Sequence, residues 1–297
     1  MFRRSGFVVF PAFVAGIYGN NMPEEPRLTS PKEVRALLET LGHRPNKGLG
    51  QNYLIDANIL DIIANAADIQ PGDSVLEIGP GLGALTERII PKAKAVTCIE
   101  KDPTMANYLK SRFSNFTLIE SDALDVDLDQ LFAGGITKVA ANLPYSVASR
   151  LMVDIAECEH RPELMSLTIQ KEVADRLCAP AGDKHYGMLG ILAGVFYENT
   201  LVKKISPTCF LPPPKVWSAV VKMQRRDAPV VDAEVYPAFK KLVKHCFSQR
   251  RKQVGTILKK LGISPVDASL ADAGIEHAER PERIEIERWT ELAKVLS

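Results

Sequence analysis

The sequence predicts a doubly wound α/β fold, a mostly parallel sheet covered by helices on both faces, followed by a small all-helical C-terminal domain. Three observations carry that expectation. Short apolar strands alternate with helical stretches from residue 74 to 170, the first strand runs straight into the glycine-rich turn "EIGPGLGA" (77–84), and strand signals cease after residue 226 while helical periodicity continues. With 297 residues and 46% apolar content, the chain can bury the core that such a fold needs.

The elements follow in order. "SPKE" (30–33) is a helix start, with Ser30 as N-cap, Pro31 at the first helical position and Glu33 closing a capping box, and Gly42 ends the helix. "HRPNKGLGQNYL" (43–54) is a basic, glycine-bearing loop, after which Ile59, Leu60, Ile62, Ile63, Ala66 and Ala67 recur at helical spacing up to the break "QPGD". "SVLEI", "AVTCIE", "FTLIES", "TKVAA" and "MSLTIQ" are the strands, with Asp102 and Pro103 opening one connecting helix and a second beginning near Ser146. Around "FLPPPK" the order changes, and a hairpin formed by "TLVKKI" and "VWSAVVKM" places an antiparallel strand at or near the sheet edge. "QRRDAPVVD" (224–232) is a linker, giving expected units of 30–226 and 227–297. Residues 1–29 are expected to be an extension, either arising from a start misassigned upstream of Met22, disordered, or a targeting peptide; the apolar stretch after Arg3 and Arg4 lacks a secretory cleavage site and contains Pro11, which favours the misassigned start.

Net charge is +1, so any electrostatic footprint for a polyanion has to be local. The five cysteines and five histidines are scattered without CxxC or HExxH spacing, which argues against a metal site and for reduced thiols in a cytoplasmic protein. Gly79, Gly81 and Ala84 satisfy G-x-G-x-x-G/A, with Glu100 closing the next strand as a partner for ribose hydroxyls. That pattern fits a nicotinamide dehydrogenase as well as a methyltransferase. Glu77, an acid suited to a cationic amino-acid ligand, Asp122 at the end of the third strand, and "NLPY" (142–145) after the fourth favour the methyltransferase.

Together with "GQNYL" (50–54), "IEKD" (99–102), "SDAL" (121–124), "QKEVADR" (170–176), "YGML" (186–189), "FLPPPKVWSAV" (210–220) and "FSQRRK" (247–252), these stretches resemble the ribosomal RNA adenine N6,N6-dimethyltransferase family of class I S-adenosylmethionine-dependent methyltransferases. The motifs run in family order from about residue 44 to the C-terminus. Departures are Tyr53 where phenylalanine is usual, Trp217 in the proline-rich stretch, and the N-terminal extension. The resemblance implies a seven-stranded Rossmann-like sheet and N6-dimethylation of two adjacent adenosines near the 3′ end of small-subunit rRNA. It also assigns Asn52 and Leu54 to a loop over the cofactor's methionine and ribose, Gly79 to the methionine end, Glu100 to the ribose, and Asp122 to the adenine amine. Gly81, Glu77 and Asn142 complete the expected cofactor set.

Adenine N6 is a weak nucleophile because its lone pair is delocalised into the ring. The Asn142 side-chain oxygen and the Leu143 carbonyl can accept its two hydrogens and favour a pyramidal nitrogen, while Pro144 stiffens the loop and Tyr145 offers a stacking face. By resemblance, Phe210 is the second face of a sandwich around the base. Lys240, Lys241, Lys244, Arg250, Arg251, Lys252, Lys259 and Lys260 form a strongly basic stretch, in which Arg250, Arg251 and Lys252 are expected to bind phosphates, with Arg44 and Lys47 near the site's mouth. The expected partner is small-subunit rRNA or its precursor particle, bound by a monomer. The alternatives are a large-subunit rRNA adenine methyltransferase of the antibiotic-resistance type and a non-catalytic RNA-binding assembly factor with the same fold.

Overall fold

The computed structural model describes residues 25–45 and 51–296. Helix α1 (Pro31–Thr40) starts as the sequence indicates, with the Ser30 side chain accepting from Glu33 N. The capping box is only half made. The Glu33 carboxylate takes the backbone N–H and the guanidinium of Arg27 instead, a charged donor outcompeting the neutral Ser30 N–H, which donates to Arg27 O. Residues 25–29 correct the expected extension, because Leu28 is buried in an apolar cluster with Val34, Leu38, Tyr53, Leu82 and Met105. Residues 1–24 lie outside the described residues.

Strand β1 (Tyr53–Leu54) precedes α2 (Ala57–Ala66), which is capped by Asp56. The alternation then proceeds through β2 (Ser74–Ile78), α3 (Thr86–Ile89), β3 (Ala95–Glu100), α4 (Pro103–Arg112), β4 (Thr117–Glu120), α5 (Leu128–Ala133), β5 (Lys138–Asn142), α6 (Ala148–Glu157), β6 (Leu164–Gln170), α7 (Lys171–Cys178) and α8 (Met188–Gly194). Asp102 caps α4 by accepting from Thr104 N and Met105 N, with Pro103 at the first helical position. The chain then adds β7 (Tyr197–Ile205), the two-residue β8 (Phe210–Leu211) and β9 (Ser218–Arg225), before α9 (Tyr236–Ser248), α10 (Val254–Lys260), α11 (Val266–Asp272) and α12 (Ile286–Val295).

Seven strands form one sheet in the order β4-β3-β2-β5-β6-β9-β7, with β9 antiparallel to both its neighbours and the remaining pairs parallel. Side chains alternate between its faces. Val75, Val96, Cys98, Ala140 and Val220 pack with α2 on one side, while Leu76, Ile99, Val139, Ala141, Leu167 and Val221 pack with α6, α7 and α8 on the other. The second layer runs without interruption into Phe239, Val243, Trp289 and Leu292 of the C-terminal helices. Tyr186 OH donates to Ile284 O at 2.9 Å, which helps tie the segment before α8 to the segment before α12. Strand β1 pairs with β8 in a separate two-stranded ladder, Tyr53 opposite Leu211 and Leu54 opposite Phe210, a link no local sequence signal announces.

Candidate active site

The sheet order reverses between β2 and β5, and the crevice beyond the carboxyl ends of strands at such a point is where open α/β sheets bind ligands. A cavity lies there. Its walls include residues 77–82 after β2, Ile99 to Lys101 after β3, Ser121 to Ala123 after β4, residues 142–147 after β5, and residues 51–54. Of the expected residues, Asn52, Leu54, Glu77, Gly79, Gly81, Glu100, Asp122, Asn142, Leu143, Pro144 and Tyr145 all meet in this one wall.

The glycine turn is shaped by backbone that other residues resist. Gly79 and Gly81 have φ of 69° and 56°. A Cβ on Gly79 would lie 3.5 Å from the Pro144 ring, and one on Gly81 would lie 3.0 Å from the Tyr53 ring, so the turn is pressed between the "NLPY" loop and β1. Glu100 closes this arrangement by accepting Gly81 N at 3.0 Å and Asp102 N at 2.8 Å. Burial raises its carboxyl's pKa, and those two N–H donors oppose the rise.

Glu77 is buried and accepts the Thr86 hydroxyl at 2.6 Å, and burial pushes its carboxyl up to about 8. At neutral pH such a carboxyl is mostly protonated, and an ammonium group brought beside it would draw it to the charged form. Asp122 is engaged twice: it accepts Leu124 N at 3.0 Å as a local loop cap, and Lys101 Nζ at 2.6 Å. The Lys101 ammonium holds its carboxyl below the usual range. Lys101 also lines the cavity and was not among the expected residues; its only sequence signal is its place between Glu100 and Asp102.

Asn142 carries the most telling atom. Its Nδ2 donates to Asn52 O at 3.2 Å, which fixes the amide's orientation, and its Oδ1 is buried without a hydrogen-bond partner among the described residues. Leu143 N is anchored on Thr168 O at 3.1 Å. The Tyr145 hydroxyl is hydrogen-bonded to Ser218 Oγ at 2.6 Å, so Ser218 steadies the ring from the antiparallel β9, a partner that sequence spacing does not reveal.

Phe210 departs from expectation. Its ring is 2% exposed, packed in the cluster of Leu54, Ile59, Ile205 and Val220, and it is absent from the cavity wall. The β1–β8 pairing explains this placement, because it presents Phe210 to the apolar layer beneath the sheet alongside Leu54. In this structure Phe210 is a core residue, and the aromatics in the wall are Tyr53 and Tyr145.

Arg44 is exposed, and Lys47 lies outside the described residues. The basic stretch divides. Lys240 is paired with Glu157 at 2.6 Å, whereas Arg250 and Arg251 line a cleft with Lys184, Arg280 and Arg283, against Asp183 and Glu282. Arg250 is steadied there by Lys184 O at 2.8 Å. Close contact with the Lys260 ammonium lowers the pKa of the exposed Lys252, the signature of cations held together. Lys184, Arg280 and Arg283 come from outside the basic run and are scattered in sequence, so only folding reveals them as part of this patch.

Residues 42–297 match the family model described as Ribosomal RNA adenine dimethylase. Among similar proteins, the Ribosomal RNA small subunit methyltransferase A of Magnetococcus marinus is 41% identical, across 88% of this chain and 95% of that protein. The protein of the same description from Syntrophotalea carbinolica is 39% identical, across 86% of this chain and 98% of that one. A crystal structure of a dimethyladenosine transferase from Plasmodium falciparum superposes with a TM-score of 0.70 at 27% identity, covering 80% of this chain and 94% of that one. A match of that extent, on a chain whose glycine turn, acids and "NLPY" loop converge on one cavity, makes this protein a member of the ribosomal RNA adenine dimethylase family.

Proposed function

We propose that the protein is an S-adenosylmethionine-dependent enzyme that dimethylates N6 of two adjacent adenosines near the 3′ end of small-subunit rRNA during assembly of that subunit. The observation that carries this reading is the buried Oδ1 of Asn142, an acceptor on a residue of the cavity wall that has no donor among the described residues. An exocyclic amine supplies one.

The wall fits the cofactor: a turn in which Gly79 and Gly81 present bare backbone, Glu77 for an ammonium, and Glu100 with lone pairs left for ribose hydroxyls. When bound, S-adenosylmethionine supplies a methyl group activated by its sulfonium. Asn142 Oδ1 and the Leu143 carbonyl accept the two N6 hydrogens, so that the nitrogen lone pair is no longer spread into the ring. Tyr145, held by Ser218, stacks on the base. The methylated nitrogen is acidic enough to lose its proton to water, so no general base is needed. Positioning of this kind lowers a barrier by up to about 7–11 kcal/mol. The target base has to leave its helix to reach the cavity, at a cost of a few kcal/mol that stacking offsets.

Residues 30–226 form the catalytic unit in this reading, and 227–297 an RNA-binding helical unit whose Arg250, Arg251 and Lys252 meet phosphates, with Arg44 and Lys47 nearer the cavity. The protein works as a monomer in the cytoplasm; among the described residues no helix is long and apolar enough to cross a membrane. The small subunit is favoured over the large by the names of the two curated relatives. The test is labelled methyl transfer to small ribosomal subunits lacking the modification, followed by nucleoside mass analysis. Dimethyladenosine at two neighbouring positions is expected. Absence of transfer, or modification of large-subunit RNA instead, overturns the proposal.

A further inference from the structure

Trp217 is 53% exposed, more than any other large apolar side chain among the described residues. An indole left in water is unfavourable, and its surroundings indicate what covers it. Its backbone is held firmly: Trp217 O accepts Lys171 N at 2.9 Å, and the next residue, Ser218, pairs with Gln170 across β6 and β9. Ser218 is the residue whose hydroxyl tethers Tyr145, so the indole stands one residue from the anchor of the ring on the cavity wall. Two residues before it, Lys215 is exposed. An exposed indole on an anchored backbone, a cation two residues before it, and a cavity wall reached through the Ser218–Tyr145 hydrogen bond match one occupant, a single-stranded nucleotide.

We propose that Trp217 is the stacking platform for the nucleotide adjacent to the adenosine in the cavity, with Lys215 supplying a cation for its phosphate. This inference rests on the proposed function and extends it. Drawing one base out of a strand strips its neighbour of a stacking partner, and the indole replaces that lost face. Where two adjacent adenosines are both substrates, the platform holds the second while the first is methylated. Trp217 is then a positioning residue whose contribution appears in RNA binding, since base–aromatic stacking changes affinity by roughly 5- to 150-fold.

The chain has two tryptophans, and the other, Trp289, is fully buried, so a change in indole emission on binding RNA reports Trp217. The probes are small ribosomal subunits lacking the modification for turnover, and a short single-stranded RNA containing two adjacent adenosines for fluorescence. Emission of the wild type is expected to be quenched by that RNA, and Trp217→Phe to abolish the quenching. Trp217→Ala is expected to raise KM for the subunits about 10-fold with kcat and S-adenosylmethionine affinity kept, and Trp217→Phe to restore most of the loss. Unchanged emission, or wild-type KM in Trp217→Ala, overturns the inference while wild-type methyl transfer still stands. If the wild type fails to methylate, the underlying function falls and the platform with it.

Discussion

Replacing Glu77 by glutamine removes an ionisable group from the interior while keeping its shape and its ability to accept the Thr86 hydroxyl. Burial raises the Glu77 carboxyl from 4.5 to about 8, so the folded protein holds a proton there that the unfolded chain releases once the pH exceeds about 4.5. The raised value therefore favours the fold fully below 4.5, and this advantage is lost as pH rises towards 8. At 1.36 kcal/mol per unit, the wild type carries a penalty of about 1 kcal/mol at pH 5 and about 4 kcal/mol at pH 8 relative to a neutral isostere. Glu77→Gln is accordingly expected to exceed the wild type in stability by a margin that grows by about 3 kcal/mol between those pH values. Urea denaturation at pH 5, 6, 7 and 8, without cofactor, measures the margin. Calorimetric titration with S-adenosylmethionine at pH 8 should at the same time show weaker binding, because glutamine offers no charge to the ammonium. A stability difference that stays flat across the pH range would refute the assignment of Glu77 as a buried, proton-holding acid.

Asn142→Ala removes the unpartnered acceptor and is expected to lower single-turnover methyl transfer by roughly 10²–10³, with cofactor affinity largely kept; wild-type turnover would count against the amide's role. Arg250→Glu combined with Arg251→Glu should weaken binding to small subunits and flatten its dependence on salt, while cofactor affinity is unchanged. Equal RNA affinity across a salt titration would remove the cleft from the RNA-binding surface.

Much of the fold was legible because its signals are local. Strand alternation, the Asp102–Pro103 helix start and the glycine turn each depend on a few neighbouring residues, and the structure places them as expected. The capping box at Ser30 shows the limit of even a short motif, since Arg27, three residues upstream, captured the carboxylate that the pattern assigned to the cap. Phe210 shows a wider limit: whether an aromatic beside a proline turn lies in a core or a binding wall depends on its cross-strand partner, here Leu54. The charge run was likewise only half informative, because Lys240 is paired with Glu157 on α6 while Arg250, itself 3.7 Å from Glu282, gains Lys184, Arg280 and Arg283 as neighbours.

By itself, the amino-acid order determined the parallel α/β scaffold, the identity of the acids that line the cavity and the amide-proline-phenol loop, since strand periodicity and turn chemistry are short-range properties of the chain. Only the tertiary structure decided that Asn142 spends its nitrogen on Asn52 and leaves its oxygen unpartnered, that Ser218 tethers Tyr145, that Lys101 engages Asp122, and that Phe210 is core. Those outcomes are set by hydrogen-bond and packing partners brought together by strand order and register, which no stretch of neighbouring residues specifies.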